Sequence, residues 1–195
     1  MNTEQRSHAI GLEFSTQSAK GVVLNVESGR VTHTAKLDYD DAFPNYGTSG
    51  GVLPSDDPIL RLTSPLMMIE ALETLIDRLA ETGASLQDVG AVKLDAQQHC
   101  TIYTGHDFEK SLDRLKPGTS LKGQLTDVFS RPAAPIWEDR STETEARELE
   151  SRVSRTGTSL TRRTGNRAEL RFPAAQIIRW ARSDPEQYNH TAHIQ

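Results

Sequence analysis

The most constraining feature of the chain is a strand, a short polar turn and a second strand close to its start. Residues 9–14 are largely apolar, Ser15 to Ser18 are polar, and residues 21–26 are apolar again. This pattern predicts two antiparallel strands, because so short a turn joins only neighbouring strands. A hydroxyl-rich turn preceded by a carboxylate, here Glu13, can also offer N–H groups and hydroxyls to phosphate while the acid faces a metal ion. Most such turns only connect strands, so both interpretations stay open.

The first half of the chain continues with strands and one clear helix. Three strands are predicted over 8–14, 20–26 and 30–39, followed by a long Pro- and Gly-rich loop over 40–63. Ser64-Pro65 then begins a helix that ends at Gly83, since the apolar side chains recur at helical spacing. We expect those side chains to pack in the core: Ile69, Leu72, Ile76 and Leu79.

The second half alternates between strands and helices. The predicted strands are 89–94, 100–103 and 133–137, and the predicted helices are 121–129, 142–153 and 173–181. A capping box formed by Thr142 and Glu145 is expected to begin the charged helix. Three antiparallel strands followed by alternating helices and strands predict an α/β fold with a mixed sheet.

Composition narrows the class of protein. The 195 residues are enough for one domain or slightly more, and the net charge of −5 without a basic stripe argues against nucleic-acid binding. The sequence contains no run of about twenty apolar residues, so no membrane span is predicted. The N-terminus lacks the apolar core of a signal peptide. Cys100 is the single cysteine, which excludes an internal disulfide and is typical of a cytoplasmic protein.

A series of short motifs extends along nearly the whole chain. They are Ile10–Ser18 with Lys20, Phe43-Pro44, Gly50-Gly51-Val52, Ser64-Pro65-Leu66-Met67, Gln97-Gln98-His99, Pro135–Thr142 and Gly165–Phe172. In this order they closely resemble the FGGY family of carbohydrate kinases, and within it the xylulose kinases. The chain departs from the family pattern at three positions, with Glu13 where aspartate is usual and Ala96 and Cys100 where glycines are usual.

The resemblance implies a ribonuclease-H-like (actin-like ATPase) fold. Residues 1–195 would form the N-terminal part of the sugar-binding domain I, with an incomplete sheet, and the nucleotide-binding domain II would be absent from them. In the family the site lies in the cleft between these domains, and the aspartate that acts as general base comes late in the first. That position would fall beyond residue 195, so the chain alone is expected to lack turnover.

The resemblance also implies where phosphate and metal would bind. Ser15, Thr16 and Gln17 would lie on the phosphate side, and Glu13 would face Mg²⁺ carried by ATP. The extra methylene of glutamate over aspartate moves the carboxylate by about a bond length, which octahedral Mg²⁺ tolerates poorly. A strand-end acid and a capped turn without ligands are the structural alternatives for these residues.

The sugar side would be formed by residues from three later motifs. By resemblance His99 and Gln98 would hydrogen-bond sugar hydroxyls, Trp137 would stack on the sugar with Asp139 accepting hydroxyls, and Arg167 would donate from its guanidinium. Each has a structural alternative. His99 could be a surface residue, Trp137 a core residue and Asp139 part of a helix N-terminus, while Arg167 could form a surface ion pair. Arg171 is expected to be structural.

Three functions are therefore considered. The first is the N-terminal portion of an ATP-dependent xylulose kinase, converting D-xylulose and ATP to D-xylulose 5-phosphate and ADP. The second is a non-catalytic sugar-binding or interaction module derived from a kinase. The third is a kinase for another sugar or polyol, such as ribulose or glycerol. An open sheet edge would expose apolar surface, so pairing of copies into a homodimer is also expected.

Overall fold

The computed structural model describes residues 6–195, and the start of the polar N-terminal segment, residues 1–5, lies outside the described residues. The strands are β1 His8–Phe14, β2 Ser18–Asn25, β3 Arg30–Asp38, β4 Leu62–Thr63, β5 Val89–Ala96, β6 Tyr103–Gly105, β7 Ala134–Pro135 and β8 Thr191–Ile194. The α-helices are α1 Tyr39–Ala42, α2 Pro65–Glu81, α3 Phe108–Asp113, α4 Leu121–Gln124, α5 Glu143–Ser154, α6 Leu160–Thr164, α7 Pro173–Ser183 and α8 Pro185–Asn189.

The chain divides into two compact units. The first comprises the described residues up to Val52, Leu66–Gln97 and Ser120–Lys122. The second comprises Leu53–Pro65, Gln98–Thr119 and Gly123–Gln195. Each unit is therefore built from segments that are distant in sequence.

The first unit contains a four-stranded mixed sheet. Its strand order is β3-β2-β1-β5, in which β1 pairs antiparallel with β2, β2 pairs antiparallel with β3, and β1 pairs parallel with β5. The predicted opening of three antiparallel strands and the mixed sheet are confirmed. Because β1 and β5 are parallel, both end at the same edge of the sheet, where the polar turn after Phe14 also lies.

Helix α2 covers one face of this sheet. The buried face of β1 (Ile10, Leu12, Phe14) packs with the helix residues Met67, Ala71, Leu75 and Leu79, all buried. Burial of these side chains is the main stabilising contribution to the unit. Of the predicted core positions only Leu79 is fully buried, while Leu72 and Ile76 pack against the core from its side.

Gly21 in β2 permits the close contact between helix and sheet. A Cβ atom at this position would lie 2.9 Å from Cδ1 of Leu79 and 3.3 Å from Cγ of Leu75. A larger residue would therefore push α2 away from the strand.

The second unit is mainly helical, with two small two-stranded sheets. Strand β4 pairs antiparallel with β7, and β6 pairs antiparallel with β8. The helix predicted over 173–181 is present as Pro173–Ser183, and Asp184 then caps α8 by accepting a hydrogen bond from the amide of Gln187. The strand expected over 100–103 instead occupies Tyr103–Gly105, and the helix expected over 121–129 is only Leu121–Gln124 followed by a 3₁₀ turn.

The capping box predicted at Thr142 is wrong. Thr142 makes no capping hydrogen bond to α5, because its hydroxyl donates instead to the carbonyl oxygen of Leu170. A tertiary partner 28 residues away has replaced the local one.

Among residues 6–195, no helix combines the length and the apolar character needed to cross a membrane.

Candidate functional site

The polar turn after β1 is rigidly held in the first unit. The amide and the hydroxyl of Ser15 both donate to the carbonyl oxygen of Ser18, at 2.9 Å each. The amide of Tyr39 donates to the carbonyl oxygen of Gln17 at 3.0 Å, which ties the turn to the end of β3. The turn is thus preorganised, as a backbone cradle for an anion must be.

A glycine loop packs directly against this turn. A Cβ atom on Gly51 would lie 1.9 Å from the carbonyl oxygen of Thr16, and the φ angle of Gly51 is +76°. Gly50, with φ +60°, lies beside the side chain of Gln17. Only glycine fits at position 51 on both counts, so the Gly50-Gly51 motif exists to let the loop approach the turn.

The carboxylate of Asp40 fixes the glycine loop. It accepts hydrogen bonds from the hydroxyl of Thr48 at 2.7 Å and from the amides of Gly50 and Gly51 at 2.6 and 3.1 Å. The Thr48 hydroxyl, followed by the two amides, lowers the pKa of this carboxyl from its usual 3.8. Sequence reasoning missed Asp40, because nothing in its local sequence indicates partners eight to eleven residues ahead.

Glu13 lies at the end of β1 with an exposed side chain. Its carboxylate pairs with the ammonium of Lys20 at 3.5 Å, across the β1–β2 ladder in which the two residues face each other. Both side chains are about half exposed, so this ion pair is weak and leaves the carboxylate accessible. Within residues 6–195, no cluster of three or more acidic, histidine or cysteine side chains could hold a metal ion by itself.

Gln97 supplies an unused hydrogen-bond donor next to the turn. Its Oε1 accepts from the hydroxyl of Thr16 at 3.2 Å, whereas its buried Nε2 has no hydrogen-bond partner. A buried amide donor without an acceptor is costly, and a phosphate oxygen is a suitable acceptor. The turn therefore fits a phosphoryl group. Sequence reasoning identified the motif that contains Gln97, but it assigned ligand contacts only to Gln98 and His99, and on the sugar side.

The second unit contains a cavity of about 680 Å³. This volume is within the range of small-molecule sites. Its walls combine an aromatic ring with cationic and anionic side chains, and are formed by Pro58, Ile59, Arg61, Trp137, Glu138, Asp139, Arg140, Glu169, Leu170 and Arg171. Sugar hydroxyls both donate and accept hydrogen bonds, so this mixture matches a polyhydroxylated ligand.

Trp137 presents its ring to this cavity. The side chain is 44% exposed although it directly follows Ile136, which is fully buried. An exposed tryptophan in a cavity wall offers a flat apolar surface on which a sugar can stack. Trp137 is therefore not a buried core residue.

Asp139 lies buried at the base of the cavity and is saturated with hydrogen bonds. One carboxylate oxygen accepts from the amide and hydroxyl of Ser141, at 3.0 and 2.7 Å, and from Nε2 of Gln176 at 2.6 Å. The other accepts from the amide of Arg61 at 2.9 Å. With 1% of its surface exposed, Asp139 joins the segment 58–61, its own turn and α7 into one wall.

Arg167 lies exposed in a neighbouring cavity of about 410 Å³ rather than in the Trp137 cavity. The two cavities share Glu169 and Leu170 in their linings. Arg171, expected to be structural, instead lines the Trp137 cavity.

His99 and Gln98 are not among the residues that line these cavities. His99 has a φ angle of +62°, an uncommon backbone conformation for a residue with a side chain, and its ring lies 5.0 Å from that of Phe172. Next to it, burial raises the pKa of the Cys100 thiol to about 12. A strained residue held by a tertiary contact is a common feature of binding sites.

Comparison with known proteins places these features in a family context. No protein-family model matches the chain. It is 34% identical over 185 residues to a probable D-xylulose kinase A of Aspergillus terreus and 33% identical over 190 residues to a xylulose kinase of Mus musculus. These alignments cover 95% and 97% of this chain but only 32% and 34% of the relatives, so the chain spans about a third of their length.

Solved structures show the same fold. A xyloylose kinase from Brucella ovis matches 96% of this chain with a TM-score of 0.71 at 18% identity. This match covers 32% of the Brucella protein. A gluconate kinase from Lactobacillus acidophilus matches 96% of this chain with a TM-score of 0.69 at 15% identity. This match covers 31% of the Lactobacillus protein. The predicted ribonuclease-H-like fold of the carbohydrate kinases is thereby confirmed, while kinases named for different sugars share it.

Proposed function

We propose that this chain, which is similar to the xylulose kinases among the FGGY carbohydrate kinases, forms the sugar-side and phosphate-side part of such an enzyme. The reaction proposed is transfer of the γ-phosphate of ATP to D-xylulose, giving D-xylulose 5-phosphate and ADP. The relatives named as xylulose kinases support the sugar, and the cavity around Trp137 is the observation that carries the assignment.

On the sugar side, Trp137 provides the stacking surface and the neighbouring charged side chains provide hydrogen bonds. Arg61, Arg140 and Arg171 donate, and Glu138 and Glu169 accept. Asp139 has its carboxylate engaged by four protein donors, so its role is to hold the cavity wall in place. His99, Gln98 and Arg167 do not line this cavity, and they are kept as proposed sugar contacts on the family resemblance alone.

On the phosphate side, Ser15, Thr16 and Gln17 would hold the transferred phosphoryl group. The side-chain Nε2 of Gln97 would be an additional donor. Glu13 would hold the metal ion from the end of β1. MgATP would supply the phosphoryl group, with the ion neutralising its charge. The residues of the turn contribute orientation and donors, since phosphoryl transfer depends mainly on positioning and electrostatics.

No residue of this chain is assigned as general base. The proposal therefore predicts sugar binding, but not steady turnover, for the 195 residues on their own. Calorimetric titration with D-xylulose should show saturable binding that ribulose and glycerol reproduce more weakly. Steady formation of D-xylulose 5-phosphate by this chain with MgATP would contradict the assignment, as would equal binding of all three compounds.

A second candidate, a non-catalytic sugar-binding module, is favoured by one observation. Glu13 is longer than the usual aspartate and its carboxylate pairs with Lys20. On this reading MgATP leaves sugar affinity unchanged both for this chain and for any longer form. A Glu13→Asp variant that gains MgATP dependence in the longer form would favour the kinase.

Cytoplasmic location and formation of a homodimer also remain proposals. The single cysteine is consistent with the former.

A further inference from the structure

The second unit contains a strongly basic segment, residues 151–168, which we call the arginine loop. It has no acidic residue, and its cations are Arg152, Arg155, Arg162, Arg163 and Arg167. The whole chain has 22 Lys and Arg against 27 Asp and Glu, so the chain outside the loop has 17 cations against 27 acids. A loop of net charge +5 therefore lies in a chain whose remainder is −10, a contrast that the overall composition conceals.

The backbone of the arginine loop is closed and internally held. The carboxylate of Glu150, directly before the loop, accepts a hydrogen bond from the amide of Ala168 at 2.8 Å, so the two ends of the loop meet. Helix α6 lies inside the loop, and the hydroxyl of Ser159 caps it by accepting from the amide of Arg162 at 3.1 Å. The five guanidinium groups are therefore carried by one compact element rather than spread along an extended segment.

The carboxylates that precede the loop on α5 are engaged with other partners. Glu143 pairs with Arg147, and Glu148 accepts two hydrogen bonds from Arg182, at 3.1 and 2.6 Å. All five arginines of the loop are exposed, and over residues 6–195 none of them forms an ion pair. The loop thus presents five cations to solvent without a carboxylate at ion-pair distance.

We infer that the arginine loop is an interaction surface for a short acidic segment of a partner protein. The loop contains five arginines and no lysine. A guanidinium group offers paired N–H donors in a fixed fork that matches a carboxylate, whereas an ammonium group acts as a point charge. The composition of the loop therefore suits paired hydrogen bonds to the side chains of aspartate and glutamate.

Other features of the loop favour an acidic polypeptide over a nucleic acid or a membrane surface. The loop has no Phe, Tyr or Trp on which bases could stack. Its large apolar residues, Val153 and Leu160, are half-buried, so it offers no exposed apolar side chain for insertion into a bilayer. The net charge of −10 outside the loop repels a long polyanion or an anionic surface, whereas a short acidic segment can contact the loop alone.

Charge reversal within the loop tests the inference directly. The probe is a fluorescein-labelled peptide of about ten glutamates, titrated with the full chain at about 50 mM salt and followed by fluorescence anisotropy, and the parent chain should bind it saturably. Arg162→Glu/Arg163→Glu should raise the dissociation constant about tenfold, because two attractive contacts become repulsive. The matched control is Arg114→Glu/Lys116→Glu, at two exposed cations outside the loop. It makes the same change in net charge and should raise the constant by less than about twofold.

A conservative variant and two competing ligands complete the test. Arg162→Lys/Arg163→Lys keeps the charge but loses the paired donors, so it should raise the dissociation constant about threefold. Absence of peptide binding, equal weakening by the loop and control reversals, or tighter binding of a single-stranded oligonucleotide or of phosphatidylserine vesicles would overturn the inference. Circular dichroism confirms that every variant is folded. Neither Arg162 nor Arg163 lines the Trp137 cavity, so D-xylulose binding should be the same in the loop variants, and this inference and the proposed function can fail independently.

Discussion

Removal of the Asp139 carboxylate is the perturbation for which the structure gives the clearest magnitude. Asp139→Ala deletes the acceptor of four hydrogen bonds, from the Arg61 amide, the Ser141 amide and hydroxyl, and Nε2 of Gln176. Gln176 is 1% exposed and Ser141 is 7% exposed, so water cannot easily replace the lost acceptor.

The expected cost follows from the donors left unsatisfied. The Ser141 hydroxyl can rotate to another acceptor, and the Arg61 amide is only partly buried. Two buried donors at about 1–3 kcal/mol each give a loss of about 4 kcal/mol in the free energy of unfolding. This is a large fraction of the 5–15 kcal/mol typical of whole domains. Asp139→Asn should cost about 2 kcal/mol, because its amide places N–H groups against one of the remaining donors.

Urea unfolding followed by tryptophan fluorescence measures this loss. Both tryptophans, Trp137 and Trp180, belong to the second unit, so the signal reports that unit. Glu138→Ala is the matched control, since this neighbouring carboxylate lines the same cavity, and the expected change is within about 0.5 kcal/mol. If Asp139→Ala were as stable as Glu138→Ala, the reasoning that Asp139 holds the cavity wall together would be refuted.

Three further predictions concern the turn and the thiol. Gly51→Ala should lower the free energy of unfolding of the first unit by more than about 2 kcal/mol, measured by thermal unfolding. The reason is that φ +76° is strained for alanine and its Cβ would overlap the Thr16 carbonyl. Gly29→Ala is the control, at φ +66° but in open space, and should cost about 1 kcal/mol. Because folding lowers the pKa of Asp40, its stabilising contribution is full above pH 3.8 and is lost as the pH falls further; acid unfolding of Asp40→Asn should show a shallower dependence there, and identical curves would exclude the Asp40 contribution. With its pKa raised to about 12, Cys100 should react slowly with a thiol reagent at pH 8 and rapidly in denaturant, whereas rapid reaction of the folded chain would contradict the raised pKa.

Much of the first unit was predictable because its contacts are local. The hairpin of β1 and β2, the strand β3 and the helix α2 each follow from the periodicity of a continuous segment. The glycines at 50 and 51 were identified as a motif, but their reason is the approach of the loop to Thr16, which sequence spacing does not express.

The second unit was less predictable because its determinants are distant in sequence. Asp139 bonds Arg61 and Gln176, which are 78 and 37 residues away, so its structural role could not be separated from sugar binding by local reasoning. Thr142 shows the same effect, since a partner at Leu170 overrides the capping signal. Strand β8 forms by pairing with β6, across almost ninety residues, and carries no strong signal of its own.

An NMR titration with D-xylulose, followed at the two tryptophan indole N–H signals, shows whether the Trp137 cavity binds the sugar. Trp137 lines the cavity, whereas Trp180 lies against Arg131 and Tyr103 and serves as an internal control. If the sugar binds there, the Trp137 signal should shift saturably within the usual KM range of about 1 μM to 1 mM, and the Trp180 signal should stay unchanged. A Trp137 signal that stays fixed at saturating sugar, while calorimetry detects binding, would show that the sugar binds outside this cavity.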